Sequence, residues 1–105
     1  MYYIYIIKCS GNRLYTGITT DLSRRMSEHF NQSSKCAKFT RSHKAESLEA
    51  CWSADNRSLA SKLEYKIKSL TKPQKLRLIG ETGSLEEFFG DDAKFYNRES
   101  TNIEI

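Results

Sequence analysis

The chain has 105 residues, of which 38% are hydrophobic and 29% charged, with a formal net charge of +4. That length predicts one domain, and that composition excludes a disordered chain. No apolar run reaches the roughly 20 residues of a membrane helix, and three widely spaced cysteines argue against a disulfide scaffold or structural zinc site, so we expect an intracellular monomer with reduced thiols.

The first thirty residues are typical of a β-hairpin followed by a helix. Residues 2–8 are β-branched and aromatic, residues 10–12 form a turn signal, and residues 14–18 predict the returning strand. Asp21 is a good N-cap for a helix that runs to about Phe30, with apolar residues four apart on one face.

The middle of the chain predicts a loop, a strand and a second helix. Residues 31–45 are polar and predict a loop, whereas residues 48–52 suit a buried third strand. The second helix is expected to reach about Leu70, with Asp55 or Ser58 as its N-cap.

Two capping boxes predict the remaining helices. Thr71 and Gln74 form the first box, at the start of a third helix, and Ser84 and Glu87 form the second, before a short helix. After residues 90–92 the sequence shows no further helix or strand pattern, so we expect the last dozen residues to be a poorly ordered tail.

Four residues near the N-terminus predict a cleft that suits a phosphodiester. Tyr15 follows Tyr5 by ten residues, Arg25 follows Tyr15 by ten, and His29 lies one helical turn later. An arginine fork binds phosphate, and a histidine can position or deprotonate a nucleophile near neutral pH. A tyrosine acts as a base only where nearby cations acidify its phenol.

Each of these residues also has a plainer explanation. Arg25 could be an exposed helix arginine paired with Asp21, and Arg24 is its rival for the phosphate role. His29 could complement the C-terminal dipole of its helix. The tyrosines could simply be good strand residues with polar tips.

Glu64 is the acidic residue that the predicted packing brings near this cleft. It lies on the interior edge of the second helix, and one carboxylate suffices for a Mg²⁺ ion that keeps most of its waters. The alternative is a salt bridge to Lys68, four residues further along the helix.

Basic residues are concentrated in the first three quarters of the chain. Residues 1–77 carry a net charge of +9, and residues 78–105 carry −5. Such a basic body favours a polyanionic partner, although a run of helix lysines can also be a solvated face. We expect a surface that contacts the phosphate backbone of nucleic acid through Lys35, Lys38, Arg41, Lys68 and Lys72.

Together these residues resemble the GIY-YIG nuclease family, and in particular its small stand-alone members. The resemblance covers residues 2 to about 79. It rests on Tyr3-Ile4-Tyr5, Tyr15-Thr16-Gly17, Arg25, His29 and Glu64, and on the subgroup patterns Lys35-x-Ala37-Lys38-x-Thr40-Arg41 and 58–72.

The resemblance implies an α+β fold, with a small three-stranded antiparallel sheet flanked by helices. It implies a nuclease-like domain over residues 1–80, followed by a short helix and acidic tail over 81–105. It also implies DNA cleavage that depends on Mg²⁺ or Mn²⁺. In this resemblance Tyr15 matches the general base and Tyr5 the tyrosine of the first motif. Arg25 matches the phosphate-binding arginine and His29 the catalytic histidine. Glu64 matches the metal ligand.

The chain departs from the family pattern at three places, and other functions stay open. Tyr3 replaces the usual glycine, Thr16 replaces isoleucine, and residues 72–74 lack the asparagine that many members carry there. We expect structure-directed cleavage in DNA repair or recombination. The alternatives are a catalytically inactive nucleic-acid-binding module and an interaction domain that uses Phe88, Phe89 and the acidic tail.

Overall fold

A computed structural model describes residues 1–32, 35–80 and 84–102. Four antiparallel strands form one sheet in the order β2-β1-β3-β4. Among the described residues, no helix has the length and apolar character needed to cross a bilayer. The elements along the chain are β1 (Tyr2–Cys9), β2 (Arg13–Thr19), α1 (Leu22–Phe30), α2 (Lys38–Ser42), β3 (Ala45–Ala54), α3 (Arg57–Lys68), α4 (Lys72–Gly80), α5 (Ser84–Phe89), a 3-10 helix (Gly90–Phe95) and β4 (Tyr96–Glu99).

The sheet separates two apolar cores, because successive side chains of a strand point to opposite faces. Ile4 and Ile6 of β1 face the larger core, to which α3, α4 and α5 contribute Leu63, Leu78 and Leu85. Tyr5 and Ile7 face the smaller core, which is completed by Cys9, Met26 and Ala45, with Tyr15, Leu22, Phe30, Phe39 and Leu48 packed around it. The tyrosines of the predicted site therefore lie on the α1 face of the sheet.

Of the four predicted helix starts, two are confirmed by their capping hydrogen bonds and one is wrong. Asp21 accepts a hydrogen bond from the backbone N–H of Arg24 (3.1 Å), as expected of the α1 N-cap. Thr71 and Gln74 exchange the two hydrogen bonds of a capping box at the start of α4. The prediction for α3 was wrong, since its N-cap is Asn56.

A short helix occupies part of the segment predicted to be a loop. Helix α2 covers residues 38–42, and β3 begins at Ala45, three residues before its expected start. Five residues give no helical periodicity, and α2 has no side-chain cap, so the sequence carried no signal for it. Residues 33 and 34 of the predicted loop lie outside the described residues.

The predicted tail contains a strand. Residues 96–99 form β4, which pairs with the last four residues of β3 and covers an edge that would otherwise be exposed. The Tyr96 hydroxyl donates to the Leu59 carbonyl (2.6 Å), and Arg98 stacks over the Trp52 ring. These long-range contacts, not local β propensity, hold the segment. An α+β fold with a small antiparallel sheet flanked by helices is confirmed, with four strands in place of three.

Candidate active site

Three rings from distant parts of the chain meet on the α1 face of the sheet. The centroid of the His29 ring lies 5.6 Å from that of Tyr5 and 5.5 Å from that of Tyr15. The two tyrosine centroids are 6.4 Å apart. Tyr5 and His29 are buried, whereas Tyr15 is half-buried and so reaches the solvent.

Strand register and a glycine bring these rings together. In the β1–β2 ladder, Tyr5 is opposite Gly17, and Ile7 is opposite Tyr15, so both tyrosines point to the same face. A Cβ at Gly17 would lie 2.7 Å from the Tyr5 ring carbon that bears the hydroxyl. Gly17 is therefore required here because any side chain would occupy the space that the Tyr5 ring fills.

His29 has hydrogen-bond partners at both ring nitrogens. Its Nε2 lies 2.8 Å from the Tyr5 hydroxyl oxygen, and its Nδ1 lies 2.8 Å from the Thr40 hydroxyl oxygen. Burial, with a smaller contribution from the Arg25 charge, lowers the pKa of His29 to about 4. The imidazole is therefore neutral at physiological pH and fully enclosed.

Tyr5 is held in its protonated form. Burial raises the pKa of its phenol far above the ordinary value, and the neighbouring Arg25 guanidinium offsets only part of that rise. Tyr5 thus keeps its proton at neutral pH and can donate a hydrogen bond to its neighbours.

Arg25 faces Tyr5 and is fixed from two other sides. Its Nη1 donates to the Glu28 carboxylate (2.8 Å) and to the Lys35 carbonyl (2.7 Å). The ion-pair partner is therefore Glu28, not the Asp21 that the sequence suggested. The Asp21 carboxylate lies instead 3.9 Å from the Nε of Arg24, the other arginine considered for the phosphate role. Both of these side chains are more than half exposed.

Glu64 reaches the same cleft from α3. Its negative charge acts on the Tyr5 phenol, and its carboxylate lies 3.4 Å from the Lys68 Nζ. That ammonium lies 6.0 Å from the centroid of the Tyr15 ring. Lys68 is thus near both Glu64 and Tyr15. The structure contains the salt bridge that the sequence offered as the alternative to a metal role.

The acidic groups near the cleft suit only a mostly hydrated cation. Within residues 1–32, 35–80 and 84–102, no group of three or more His, Cys, Asp or Glu side chains could enclose a metal ion. The half-buried Glu64 carboxylate is a hard oxygen ligand of the type that Mg²⁺ and Mn²⁺ prefer. The donor set therefore fits an ion held by one carboxylate and water.

An aromatic stack and a basic cleft extend the site along the sheet. Phe39 of α2 stacks on Tyr15 with a centroid distance of 5.5 Å, and His43 stacks on Phe39 at 4.6 Å. Phe39 also lines a cleft of about 350 Å³ beside the β1–β2 turn. That cleft contains three cationic side chains, Arg13, Lys72 and Lys75.

The cations predicted to contact nucleic acid are all exposed, and they lie on three helices and, for Lys35, in the segment before α2. Lys38 and Arg41 lie on α2, and Lys68 ends α3. Lys72 begins α4 and donates to the carbonyl of Asn12 in the β1–β2 turn. The site residues predicted from the sequence do not include Phe39, Thr40 or Arg13. Of these, only Thr40 carried a signal, as a member of the pattern over residues 35–41.

Comparison with known proteins agrees with the motifs. A family model described as the GIY-YIG catalytic domain matches residues 1–77. The UPF0213 protein Ent638_3592 of Enterobacter sp. (strain 638) is 46% identical over 88 residues, 84% of each chain. The UPF0213 protein YhbQ of Escherichia coli O8 (strain IAI1) is 44% identical over 86 residues, 82% of this chain and 84% of that protein. The solution NMR structure of the UPF0213 protein BH0048 from Bacillus halodurans is 33% identical, covers 83% of this chain and 92% of its own, and has a TM-score of 0.48.

The burial of His29 predicts a pH-dependent stability. Because its pKa falls from 6.5 to about 4 on folding, the unfolded chain binds the proton more tightly, and stability decreases as pH falls from 6.5 towards 4. The shift corresponds to a loss on the order of 3 kcal/mol. Urea unfolding between pH 4 and 7 measures it. His29→Gln should flatten the curve and His43→Gln should not; equal slopes for both variants would contradict this explanation.

Proposed function

Because the chain belongs to the GIY-YIG family, we propose that it is a metal-dependent endonuclease that hydrolyses phosphodiester bonds of DNA. The observation that carries the proposal is the convergence of Tyr5, Tyr15 and His29 beside Arg25 and Glu64, from five separate points of the chain. Such a set combines groups that can move a proton with groups that can neutralise phosphoryl charge.

Tyr15 is the group we assign to the attacking water. It is the half-buried ring of the three, whereas Tyr5 and His29 are enclosed. The Lys68 ammonium lies 6.0 Å from the centroid of its ring, so Tyr15 stands beside a cation at the open side of the cleft. Tyr15, or a water that it activates, therefore takes the proton from the nucleophile, while Tyr5 and His29 hold the network behind it.

Arg25 is the group we assign to the scissile phosphate. A guanidinium carries five N–H donors, and the two on Nη1 are engaged by Glu28 and the Lys35 carbonyl. Three donors remain to face Tyr5 and a phosphoryl oxygen. Since the first two contacts fix the plane of the fork, the arginine is oriented before the substrate arrives, which favours transition-state stabilisation.

Glu64 is the residue we assign to the metal, Mg²⁺ or Mn²⁺. When bound, the ion supplies positive charge for the phosphoryl oxygens and the leaving group. Glu64 would hold it with one carboxylate, the same group that pairs with the half-exposed Lys68 ammonium in the structure.

The surroundings favour a substrate recognised by its shape. The groups around the site are lysines and arginines suited to phosphate contacts, and contacts to phosphate carry no sequence information. We therefore propose structure-directed cleavage in repair or recombination inside the cell, with Lys35, Lys38, Arg41, Lys68 and Lys72 on the DNA backbone.

The basic cleft adds Arg13 and Lys75 to this surface. The Lys75 side chain is partly buried, and no carboxylate of the described residues forms an ion pair with Arg13, Lys72 or Lys75. Partly buried positive charge without a counter-ion favours an anionic ligand. Because Phe39 lines the cleft and stacks on Tyr15, the cleft lies where a DNA strand would leave the site.

The direct test of the nuclease proposal is the Glu64→Gln variant. It removes a metal-binding oxygen charge but keeps the side-chain volume, so folding should be retained and Mn²⁺-dependent cleavage should fall by about 10²-fold or more. The assay uses labelled branched, flapped, nicked and linear DNA. Glu86→Gln, an exposed position on α5, is the matched control.

Two results would overturn this assignment. Equal cleavage by wild type and Glu64→Gln, in preparations cleared of host nucleases, would refute the metal role. Salt-sensitive DNA binding without cleavage at any Mg²⁺ or Mn²⁺ concentration would instead support the inactive nucleic-acid-binding module.

The basic cleft predicts a change in salt dependence. Each phosphate contact contributes about 0.7 to 0.9 to the slope of log K against log salt, so Arg13→Gln with Lys75→Gln should reduce that slope by about 1.4 to 1.8. Fluorescence anisotropy of labelled DNA without divalent metal measures it. Lys62→Gln with Lys94→Gln removes the same charge beside Asp92 and should leave the slope unchanged; equal changes for both pairs would exclude a specific cleft.

A further inference from the structure

The segment 35–41 contacts the site through its backbone and one hydroxyl. The Lys35 carbonyl accepts from Arg25, and the Ala37 carbonyl accepts from the Thr40 hydroxyl (3.0 Å). Thr40 is fully buried, and its hydroxyl oxygen also lies 2.8 Å from the Nδ1 of His29. One short segment therefore holds the arginine and the histidine of the candidate site.

These contacts fix the direction of the hydrogen bonds that link Tyr5, His29 and Thr40. Thr40 has a single hydroxyl hydrogen, and the Ala37 carbonyl can only accept it. Thr40 must therefore accept a hydrogen from the Nδ1 of His29. Because the imidazole is neutral, its other nitrogen, Nε2, carries no hydrogen and accepts from the Tyr5 hydroxyl.

Arg25 agrees with this direction at the opposite end. A guanidinium has donors only, so the Tyr5 oxygen can only accept from it. The order of donation therefore runs from Arg25 through Tyr5, His29 and Thr40 to the Ala37 carbonyl.

We propose that Thr40 is a positioning residue, which selects the Nδ1-protonated tautomer of His29. The Tyr5 hydroxyl hydrogen then points to His29 and away from the cleft. This inference rests on the proposed nuclease function for its catalytic consequence. With its hydrogen given to His29, Tyr5 offers only lone pairs to the cleft, where they receive Arg25 and the hydrogen of a water or of Tyr15.

The opposite tautomer would reverse this arrangement. An Nε2–H would donate to the Tyr5 oxygen, and the Tyr5 hydrogen would turn towards the Arg25 donors. Two donors would then face each other, and the arginine would move away from its position. The hydroxyl of Thr40 is buried and does not face the substrate. It nevertheless determines whether Tyr5 turns its lone pairs or its hydrogen towards the cleft.

The test compares Thr40→Val, which keeps the side-chain shape but loses the hydroxyl, with Thr40→Ser, which keeps the hydroxyl. Long-range ¹H–¹⁵N NMR spectra of the imidazole report the tautomer of His29 directly. We expect Nδ1–H in wild type and Thr40→Ser, and loss of that single tautomer in Thr40→Val. Cleavage should show kcat about 10- to 100-fold lower for Thr40→Val, with KM little changed, and near wild-type kcat for Thr40→Ser.

The wild-type spectrum decides the matter even where Thr40→Val does not fold. A proton on Nε2 of wild-type His29 would overturn the proposal, as would equal losses of kcat in Thr40→Ser and Thr40→Val. If wild type cleaves no DNA, the nuclease function fails and the catalytic consequence with it, whereas the NMR result still decides whether Thr40 selects the tautomer.

Discussion

The site depends on one buried hydrogen bond, between the Tyr5 hydroxyl and the Nε2 of His29. It joins an inner strand of the sheet to α1 across 24 residues of sequence, and both partners are buried. A buried polar group that loses its partner costs about 1 to 3 kcal/mol, so neither residue can move independently of the other. Arg25, one turn before His29 on α1, is held beside this bond by Glu28 and the Lys35 carbonyl.

This constraint divides the site into an enclosed part and an open part. Tyr5, His29 and Thr40 are buried and mutually satisfied, and their proton positions are fixed by partners that can only donate or only accept. Tyr15 and Arg25 reach the solvent and can meet a phosphodiester. A buried network of this kind is rigid, and a rigid support is what holds the reactive groups in a productive geometry.

The sequence predicted which residues come together better than it predicted their partners. The ten-residue spacing predicted that Tyr5 and Tyr15 share a cleft, and the β1–β2 pairing does bring their rings together. The sequence could not show that Glu28, and not Asp21, pairs with Arg25. Asp21 lies four residues before Arg25 and Glu28 three residues after it, and both spacings allow an ion pair on a helix. Thr40 and β4 depend on contacts between distant segments, to which local patterns give no access. Whether each site residue has its proposed role stays a prediction.

The most direct measurement is a double-mutant cycle of Tyr5→Phe and His29→Phe, followed by urea unfolding at pH 7. If the two groups form the buried bond on which the site depends, each single variant leaves an unpaired polar atom. The double variant should then be more stable than the sum of the single losses predicts, by about 1 to 3 kcal/mol. The pair Tyr5→Phe and Tyr96→Phe, whose hydroxyls have separate partners, should be additive. Additivity of Tyr5 and His29 within about 0.5 kcal/mol would contradict the account.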